Sequence, residues 1–286
     1  MSSDQTSGAV VTLEVAIGRE FRDERHRRRR DVLLATLTPI ALLALWELAA
    51  GVGWLDGRLF TPPTKIAEQA WVMILSGGLW HHLVPTVLRL LVGFSVGIVL
   101  GVAAGLLMGV WRPLRAAFGP MFTALYALPK IAILPLMLLI FGLTEVPKVL
   151  AVVISVFFVV QISTLAGIVQ IDPRILEAAR AYGATGWKSF RFILLPAAIP
   201  EIFTGLRVAA GAAVIVVTAV EFVASNDGLG YLIWNSWQLF QPAQMYVGLI
   251  VVSIVGALTT ALVILIERLL LPWQQTNKIS RKKGET

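Results

Sequence analysis

Five ionisable side chains interrupt long apolar stretches of this sequence. They are Glu47, Arg89, Lys130, Arg207 and Glu221. An ionised group in a hydrocarbon environment costs roughly 3 kcal/mol on insertion scales, so each needs a partner or a functional role. We expect Arg89 to snorkel to an interface and Arg207 to form a structural ion pair. Glu221 precedes a turn at residues 225–228, where it is predicted to cap backbone groups, with a gating role as the alternative.

Residue types for catalysis or metal binding are scarce. The chain has no cysteine, and its histidines, His26, His81 and His82, lack the spacing of a zinc site. No Gly-x-x-x-x-Gly-Lys-Ser/Thr string occurs, so ATP binding by a P-loop is excluded. We therefore predict a non-catalytic chain that binds no metal and no cofactor and takes its energy from elsewhere.

The composition predicts a membrane protein. Hydrophobic residues make up 57% of the 286 residues and charged residues 14%, against about 25% charged in soluble domains. Six stretches reach the roughly 20 apolar residues that span a bilayer, which predicts an all-α polytopic protein with six transmembrane helices. The predicted spans are Leu33–Gly53, Leu83–Trp111, Phe118–Leu143, Val146–Val169, Ile199–Val223 and Tyr246–Leu271.

Basic residues predict the orientation. Seven arginines lie in residues 19–30 and four basic residues lie in 278–283, so residues 1–30 and 273–286 are predicted to be cytoplasmic tails flanking a membrane domain at 31–272. Next to a span, such arginines indicate topology and attraction to anionic lipid rather than nucleic-acid binding. The first span is longer than a signal-peptide core and carries Glu47, so a retained anchor is favoured over a cleaved signal.

Two prolines interrupt the third predicted span. Pro129 and Pro135 each remove a backbone donor, which leaves carbonyl groups that lipid cannot satisfy. The broken helix either lines a cavity or packs as a kink, and we expect Lys130 to face the cavity if the solute is a small anion. The candidate path residues are Tyr126, Lys130, Gln161, Ser163 and Glu221. Polar residues of span four, Gln161 and Ser163 included, are also predicted to make helix-to-helix contacts.

Glycine recurs every fourth residue in the second predicted span, at positions 93, 97, 101, 105 and 109. This ladder lets another helix approach closely, and packing within the subunit is favoured over a dimer contact. Residues 65–71, between the first two spans, are predicted to form an interfacial helix.

The segment 172–196, between the fourth and fifth spans, is the most informative. Asp172 suits an N-cap, Pro173 the first helical position and Gly183 a left-handed residue after a helix end, so a helix is predicted from Pro173 to Tyr182. A second short helix is predicted from Gly186 to Leu194, ending at Pro196. Two short helices joined by a tight turn could transmit a push from a soluble partner.

This segment resembles a known motif. Glu177-Ala178-Ala179, with Gly183 four residues on and Ile193–Pro196 beyond, is similar to the EAA loop in membrane subunits of binding-protein-dependent ABC importers. The resemblance covers most of residues 33–272. Leu134-Pro135-Leu136 with Phe141-Gly142 resembles the branch that serves nitrate, sulfonate, taurine and bicarbonate.

The resemblance implies a six-helix type I importer permease in the bacterial inner membrane. Its implied partners are a second copy or a related permease, two cytoplasmic ATPase subunits that bind ATP and Mg²⁺, and an extracytoplasmic binding protein. The implied coupling residues are Asp172, Glu177, Ala178, Ala179, Arg180, Gly183 and Ala184.

Other functions stay open at this point. The cargo is expected to be a small oxyanion or sulfonate, with a heterocyclic vitamin precursor or an aromatic acid as the alternative. An ion-gradient secondary transporter would need carboxylates near the bilayer midplane, but Glu47 and Glu221 both lie near span ends. A membrane enzyme would need a nucleophile, base and metal set that the sequence does not offer.

Overall fold

The computed structural model describes residues 30–31, 33–57 and 59–272. Most of the predicted N-terminal tail and all of the C-terminal tail lie outside the described residues. The chain divides into two units, Met1–Ala67 and Glu68–Thr286. No strand occurs among the described residues, which confirms the all-α prediction.

The first unit contains the helix α1, Leu33–Gly51, and the start of α2, Pro63–Leu75. Glu47 of α1 accepts hydrogen bonds from the Thr64 backbone N–H at 3.1 Å and from the Thr64 hydroxyl at 2.7 Å. This carboxylate therefore satisfies a donor in the first turn of α2 that has no partner within its own helix. The helix predicted at residues 65–71 is confirmed, and its interfacial position stays a prediction.

The second unit contains the remainder of α2 and the other described helices. They are α3 (Gly78–Val110), α4 (Arg112–Ala127), a 3₁₀ turn (Lys130–Ile133), α5 (Leu134–Phe141), α6 (Glu145–Val169), α7 (Pro173–Ala181), α8 (Gly186–Ser189), a π-helical segment (Phe190–Leu194), α9 (Leu195–Ala224), α10 (Leu229–Gln238) and α11 (Pro242–Leu270).

Five described helical stretches are long and apolar enough to cross a membrane. The pair Arg112–Ala127 and Lys130–Phe141 passes the same test together but bends by 94° at its break. Counted as one broken span, the pair gives the six predicted. Leu128 and Pro129 are both extended at the break. Pro129 disfavours helical backbone at Leu128, the residue before it.

The glycine ladder of α3 packs against α6 in a constant register. Gly93 faces Val152, Gly97 faces Val156 and Gly101 faces Val160, and the pattern continues to Gly105 with Thr164 and Gly109 with Ile168. Both numbers rise together, so α3 and α6 are parallel. A Cβ at Gly97 would lie 2.7 Å from the Val156 Cβ. The prediction that the ladder packs within the subunit is confirmed.

Helix α6 lies between α3 and α9. A Cβ at Gly205 of α9 would lie 2.5 Å from the Ser163 Cβ of α6, and one at Gly167 of α6 would lie 2.9 Å from the Glu201 Cβ of α9. Because the numbers run in opposite directions, α9 is antiparallel to α6. The start of α3, the start of α6 and the end of α9 consequently share one end of this unit.

The second short helix does not end at Pro196 as predicted. Helix α8 passes through the π-helical segment into α9, so residues Gly186–Ala224 form one continuous helical run. Pro196 lies where the π-helical segment passes into α9, and its missing N–H does not end the run. The segment that follows α7 is therefore joined directly to a membrane-spanning helix.

Candidate functional site

Helix α7 and its turn are built as the sequence predicted. The Asp172 carboxylate accepts a hydrogen bond from the Arg174 backbone N–H at 2.9 Å and caps the helix. Gly183 has a φ of +76°, in the left-handed region. Its N–H donates to the Arg180 carbonyl, and the Ala184 N–H donates to the Ala179 carbonyl, both at 2.9 Å. These bonds close the helix end and hold a tight turn before α8.

One side of α7 carries apolar side chains that the described chain leaves open. Ile175, Ala178 and Tyr182 are all exposed, and Tyr182 is 92% exposed. They recur at a spacing of three and four residues, so they share one helix face. A capped helix with an open apolar face has the properties of a docking surface.

Another side of α7 faces a basic cavity of about 640 Å³. Glu177 and Arg180 line it together with Arg112 and Arg115 from the start of α4. The end of α3, the end of α6, the end of α8 and the π-helical segment also contribute to its walls. The segments after the second and fourth predicted spans, which six spans and cytoplasmic tails put on one side of the membrane, thus lie at one end of the unit.

The opposite end holds a cluster of charged groups centred on Arg89 of α3. The Arg89 Nε and Nη2 lie 2.6 and 2.8 Å from the two carboxylate oxygens of Glu145. Its Nη1 donates to Glu221 Oε1 at 2.8 Å, and its Nη2 also donates to Asp227. Lys148 lies 2.7 Å from Glu145. One guanidinium therefore links α3, α6, α9 and the loop between α9 and α10.

Glu221 is fully buried, and both of its carboxylate oxygens accept hydrogen bonds from other protein groups. Besides Arg89, its carboxylate accepts from the Thr86 hydroxyl at 2.9 Å and from the Gly230 backbone N–H at 2.9 Å. Thr86 in turn accepts from the Leu229 N–H at 2.8 Å. The predicted backbone-capping role of Glu221 is confirmed.

Two glycines let the backbone approach this cluster. Gly228 has a φ of +100°, and a Cβ there would lie 2.5 Å from Glu221 Oε1. A Cβ at Gly230 would lie 2.7 Å from the Glu221 Cβ. The turn that begins α10 thus closes over the Glu221 carboxylate, and a larger residue at either position would displace it.

The prediction that Arg89 snorkels to an interface is wrong. Its side chain is 3% exposed, because three carboxylates from other elements surround the guanidinium and supply the hydrogen bonds that water would give. The sequence does contain a signal for this cluster, because Glu145, Glu221 and Asp227 lie near the ends of separate predicted spans. Linking them to Arg89 required knowing that α3 and α6 are parallel.

Asp227 is the member of this cluster that lies outside the apolar spans. Burial works to raise the pKa of its carboxyl, but hydrogen bonds from Arg89 and Ser225 outweigh burial, so the pKa is lowered from its ordinary value. Ser225 donates to Asp227 Oδ1 at 2.9 Å. The carboxylate is therefore held in its ionised form.

Of the predicted path residues, the structure brings Tyr126 and Lys130 together. The Lys130 ammonium donates to the Tyr126 carbonyl at 2.7 Å and lies 4.5 Å from the centre of the Tyr126 ring. It thus satisfies a carbonyl that the break in the span leaves free, and it makes a cation–π contact. Both residues lie at the bend, and Tyr126 is exposed.

The other three path candidates lie elsewhere. Gln161 is buried between α6 and α3, where its Nε2 lies 3.3 Å from the Met108 sulfur. Ser163 faces Gly205 of α9. The structure places Gln161 and Ser163 in helix-to-helix contacts and Glu221 in the charged cluster, because α6 and α9 turn these side chains toward neighbouring helices. The alternative of helix contacts for span four is the one observed.

Arg207 forms the structural ion pair that was predicted. Its Nε lies 3.4 Å from Glu267 Oε2 and ties α9 to α11. This pair lies outside the Arg89 cluster.

Comparison with known proteins identifies the family. Residues 97–275 match the model of the family described as binding-protein-dependent transport system inner membrane component. SsuC of Bacillus subtilis (strain 168), named for aliphatic sulfonate transport, is 32% identical over 89% of this chain and 92% of its own length. SsuC of Escherichia coli (strain K12), named likewise, is 35% identical over 82% and 89%. The riboflavin transport system permease protein RibX of Chloroflexus aurantiacus is 30% identical over 83% and 89%.

A solved structure shares the fold. The inward-facing MetNI methionine ABC transporter contains a chain that matches with a TM-score of 0.57 and 20% identity, covering 66% of this chain and 94% of that one. The helical order described above is thus that of a type I ABC permease. Together with the family match, this shows that the chain belongs to the binding-protein-dependent inner membrane transport components, the multi-pass permease subunits of ABC importers.

Proposed function

We propose that two copies of this chain form the translocation path of an importer and that two cytoplasmic ATPase subunits drive it through α7. In this proposal the chain is non-catalytic, and the ATPase subunits bind ATP and Mg²⁺. Both termini and α7 are cytoplasmic, and a binding protein docks at the opposite end of the bundle. Asp172, Glu177, Ala178, Ala179, Arg180, Gly183 and Ala184 form the coupling surface and its turn.

The observation that carries the proposal is the open apolar face of α7. Ile175, Ala178 and Tyr182 are exposed on a helix whose cap and turn hold it in place. Exposed apolar side chains in water favour burial against a partner. Family membership implies that an ATPase is among the partners, and this face is where we propose that it binds.

Helix α7 is connected directly to a membrane-spanning helix, so a displacement of α7 can be transmitted to it. Gly183 and Ala184 join α7 to α8, which continues without interruption through α9. A push on α7 therefore displaces a helix that packs on α6 and α11. ATP-driven closure of the ATPases would shift the bundle between two states through this connection.

The Gly183 turn gives a sharp test. No atom lies within 4 Å of a Cβ built at Gly183, so substitutions there change the backbone preference and not the packing. Gly183→Val should uncouple ATP hydrolysis from transport, because a β-branched residue disfavours φ near +76°. Gly183→Asn should retain most coupling, because asparagine tolerates the left-handed region. The measurement is the number of ATP molecules hydrolysed for each solute molecule taken up by proteoliposomes that contain the complete importer.

Equal coupling in both variants would contradict the role of this turn. Uptake by the permease alone, without ATPase subunits, would instead support an ion-gradient transporter. Glu221 is buried and hydrogen-bonded to Arg89, the Thr86 hydroxyl and the Gly230 N–H, which weighs against that alternative because this carboxylate is unavailable to a moving ion.

For the cargo we propose a small anion such as a sulfonate. Two relatives are named for aliphatic sulfonate transport, and Lys130 supplies a cation at the break in the third span. A heterocyclic vitamin precursor is the second candidate, which the similarity to RibX supports. Ligand screening of the cognate binding protein distinguishes the two classes. If Lys130 faces the path, Lys130→Ala reduces anion uptake, and full uptake by this variant would contradict that role.

A further inference from the structure

The cleft between α3 and α8 is a separate feature from the coupling surface. It has a volume of about 550 Å³ and is lined by Ala103, Leu106, Leu107, Val110, Trp111, Gly186, Trp187 and Phe190. These side chains are apolar apart from the two indole N–H groups. Ala103 to Val110 form the last two turns of the apolar helix α3, so the cleft lies at one end of a candidate membrane span.

Two exposed tryptophans mark the rim of the cleft. Trp111 stands at the corner between α3 and α4, and Trp187 stacks on Phe190 with ring centres 5.2 Å apart. Tryptophan is enriched where the hydrocarbon meets the headgroups, because its ring is apolar and its N–H is polar. The rim of this cleft therefore has the chemistry of a membrane interface.

Cations flank both tryptophans. Arg112 follows Trp111, Lys188 follows Trp187, and Arg191 lies one turn beyond Trp187. All three are exposed, and none forms an ion pair within the described part of the chain. These cations adjoin the rim tryptophans along the chain, and Arg112 also lines the neighbouring cavity at α7. An apolar cleft with unpaired cations next to its rim tryptophans complements a ligand that has an acyl chain and an anionic head.

We propose that this cleft binds an anionic phospholipid, with an acyl chain along α3 and α8 and its phosphate at Arg112, Lys188 and Arg191. The lipid would bridge the end of α3 and the helical run that leads from α7. The assignment to the inner leaflet rests on the orientation proposed above. The proposed lipid binding does not depend on that orientation, because both leaflets of a reconstituted bilayer can carry the lipid.

The test uses the complete importer in phosphatidylcholine nanodiscs with a trace of phosphatidylglycerol that carries a photoreactive acyl chain. We expect cross-links on peptides from 103–111 and 186–190. Unlabelled phosphatidylglycerol should compete for them, and added phosphatidylcholine should not. The substitutions Arg112→Gln, Lys188→Gln and Arg191→Gln together should weaken competition at least about tenfold, since each cation near an anionic surface contributes about a fivefold preference.

The matched control neutralises three cations that do not flank the cleft. Arg174→Gln, Arg180→Gln and Arg268→Gln together remove the same charge from the same end of the protein and should leave cross-linking within about twofold of wild type. A second variant, Ala103→Phe, narrows the cleft without changing charge and should also reduce cross-linking. Size-exclusion profiles like that of wild type establish that each variant assembles.

Three results would overturn the proposal. Equal competition by phosphatidylcholine would show a general lipid surface, and equal losses in the two triple variants would show non-specific charge attraction. Cross-links absent from the cleft, with the same peptides cross-linked to a second permease copy or to the ATPase by a zero-length reagent, would show that protein covers it. Since none of these readouts involves uptake, a failure here is distinguishable from a failure of the proposed transport function.

Discussion

At the scale of single residues, Arg89 organises one end of the bundle. Its guanidinium contacts Glu145, Glu221 and Asp227, which come from three separate elements. A buried ion pair contributes little net stability relative to an apolar replacement, but losing one partner leaves an uncompensated charge. The three carboxylates differ in burial, so they differ in what their loss should cost.

Glu221→Gln should lower the free energy of unfolding by roughly 2 kcal/mol, because Arg89 loses its one fully buried carboxylate partner while Glu145 and Asp227 remain and the shape of the side chain is kept. Glu145→Gln makes the same chemical change at a side chain that is 59% exposed, and should cost roughly 1 kcal/mol or less because water screens that pair. Denaturant unfolding of both variants in the same detergent measures the difference. Equal losses would show that burial of the Arg89 cluster does not control its energetics.

The cluster also predicts a dependence of stability on pH. The pKa of Asp227 is lower in the folded protein, so its contribution is present above the unfolded pKa of about 3.9 and is lost as pH falls through the folded pKa. The difference in melting temperature between wild type and Asp227→Asn should therefore be largest near about pH 6 and shrink below about pH 4. A difference that stays constant or grows in acid would contradict the assignment. Comparing the two proteins removes the effect of the carboxylates they share.

At the scale of elements, α3 and α6 pack closely along the glycine ladder of α3. Lipid supplies no hydrophobic drive for helices to associate, so close backbone approach and packing must hold them together. A glycine every fourth residue on α3 meets a β-branched side chain every fourth residue on α6. Because both repeats have the same period, the parallel helices stay in register at all five positions.

Gly101→Ala should destabilise the protein by roughly 2 kcal/mol, because the added methyl would lie 2.8 Å from the Phe157 carbonyl oxygen of α6 and the helices would have to separate. Gly211→Ala is the matched control. It lies inside α9 with no atom within 4 Å of the added Cβ, and should be neutral or slightly stabilising. Thermal unfolding in detergent measures both. A neutral Gly101→Ala would show that the α3–α6 contact is looser than described.

Local patterns predicted local features well. The cap at Asp172, the left-handed Gly183 and the break at Pro129 each depend on a few neighbouring residues, and the structure contains all three. The Arg89 cluster depends on residues up to 138 positions apart, so it needs the relative direction of helices that local patterns do not contain. The prediction that Pro196 ends a helix was wrong, since the helical run continues through this proline next to a π-helical segment.

At the scale of the whole molecule, the orientation in the membrane is the property on which the proposed mechanism depends. Helix α7 and the Arg89 cluster lie at opposite ends of the second unit. If the ATPases bind α7, the cluster and α10 face outward. Phe240, after α10, is 88% exposed, which is close to the exposure of Tyr182.

The natural absence of cysteine allows a direct test of orientation. Tyr182→Cys and Phe240→Cys each introduce a single, highly exposed thiol. A membrane-impermeant maleimide added outside spheroplasts should label the thiol at position 240 and leave that at 182 unlabelled until the membrane is opened. The reverse pattern would place α7 outside and remove the basis of ATPase coupling. Equal labelling of both variants after detergent treatment is the control for reactivity.

The four-residue repeat shared by α3 and α6 restricts how this permease can change shape. Sliding one helix along the other by less than a full repeat, which is about 6 Å at 1.5 Å per residue, would press a branched side chain into a backbone. Steric clashes therefore oppose sliding of α3 along α6 by less than one repeat, and the two helices should move together as one rigid pair. Any bending that opens and closes the path should then occur between helices, for example at the break at Leu128–Pro129.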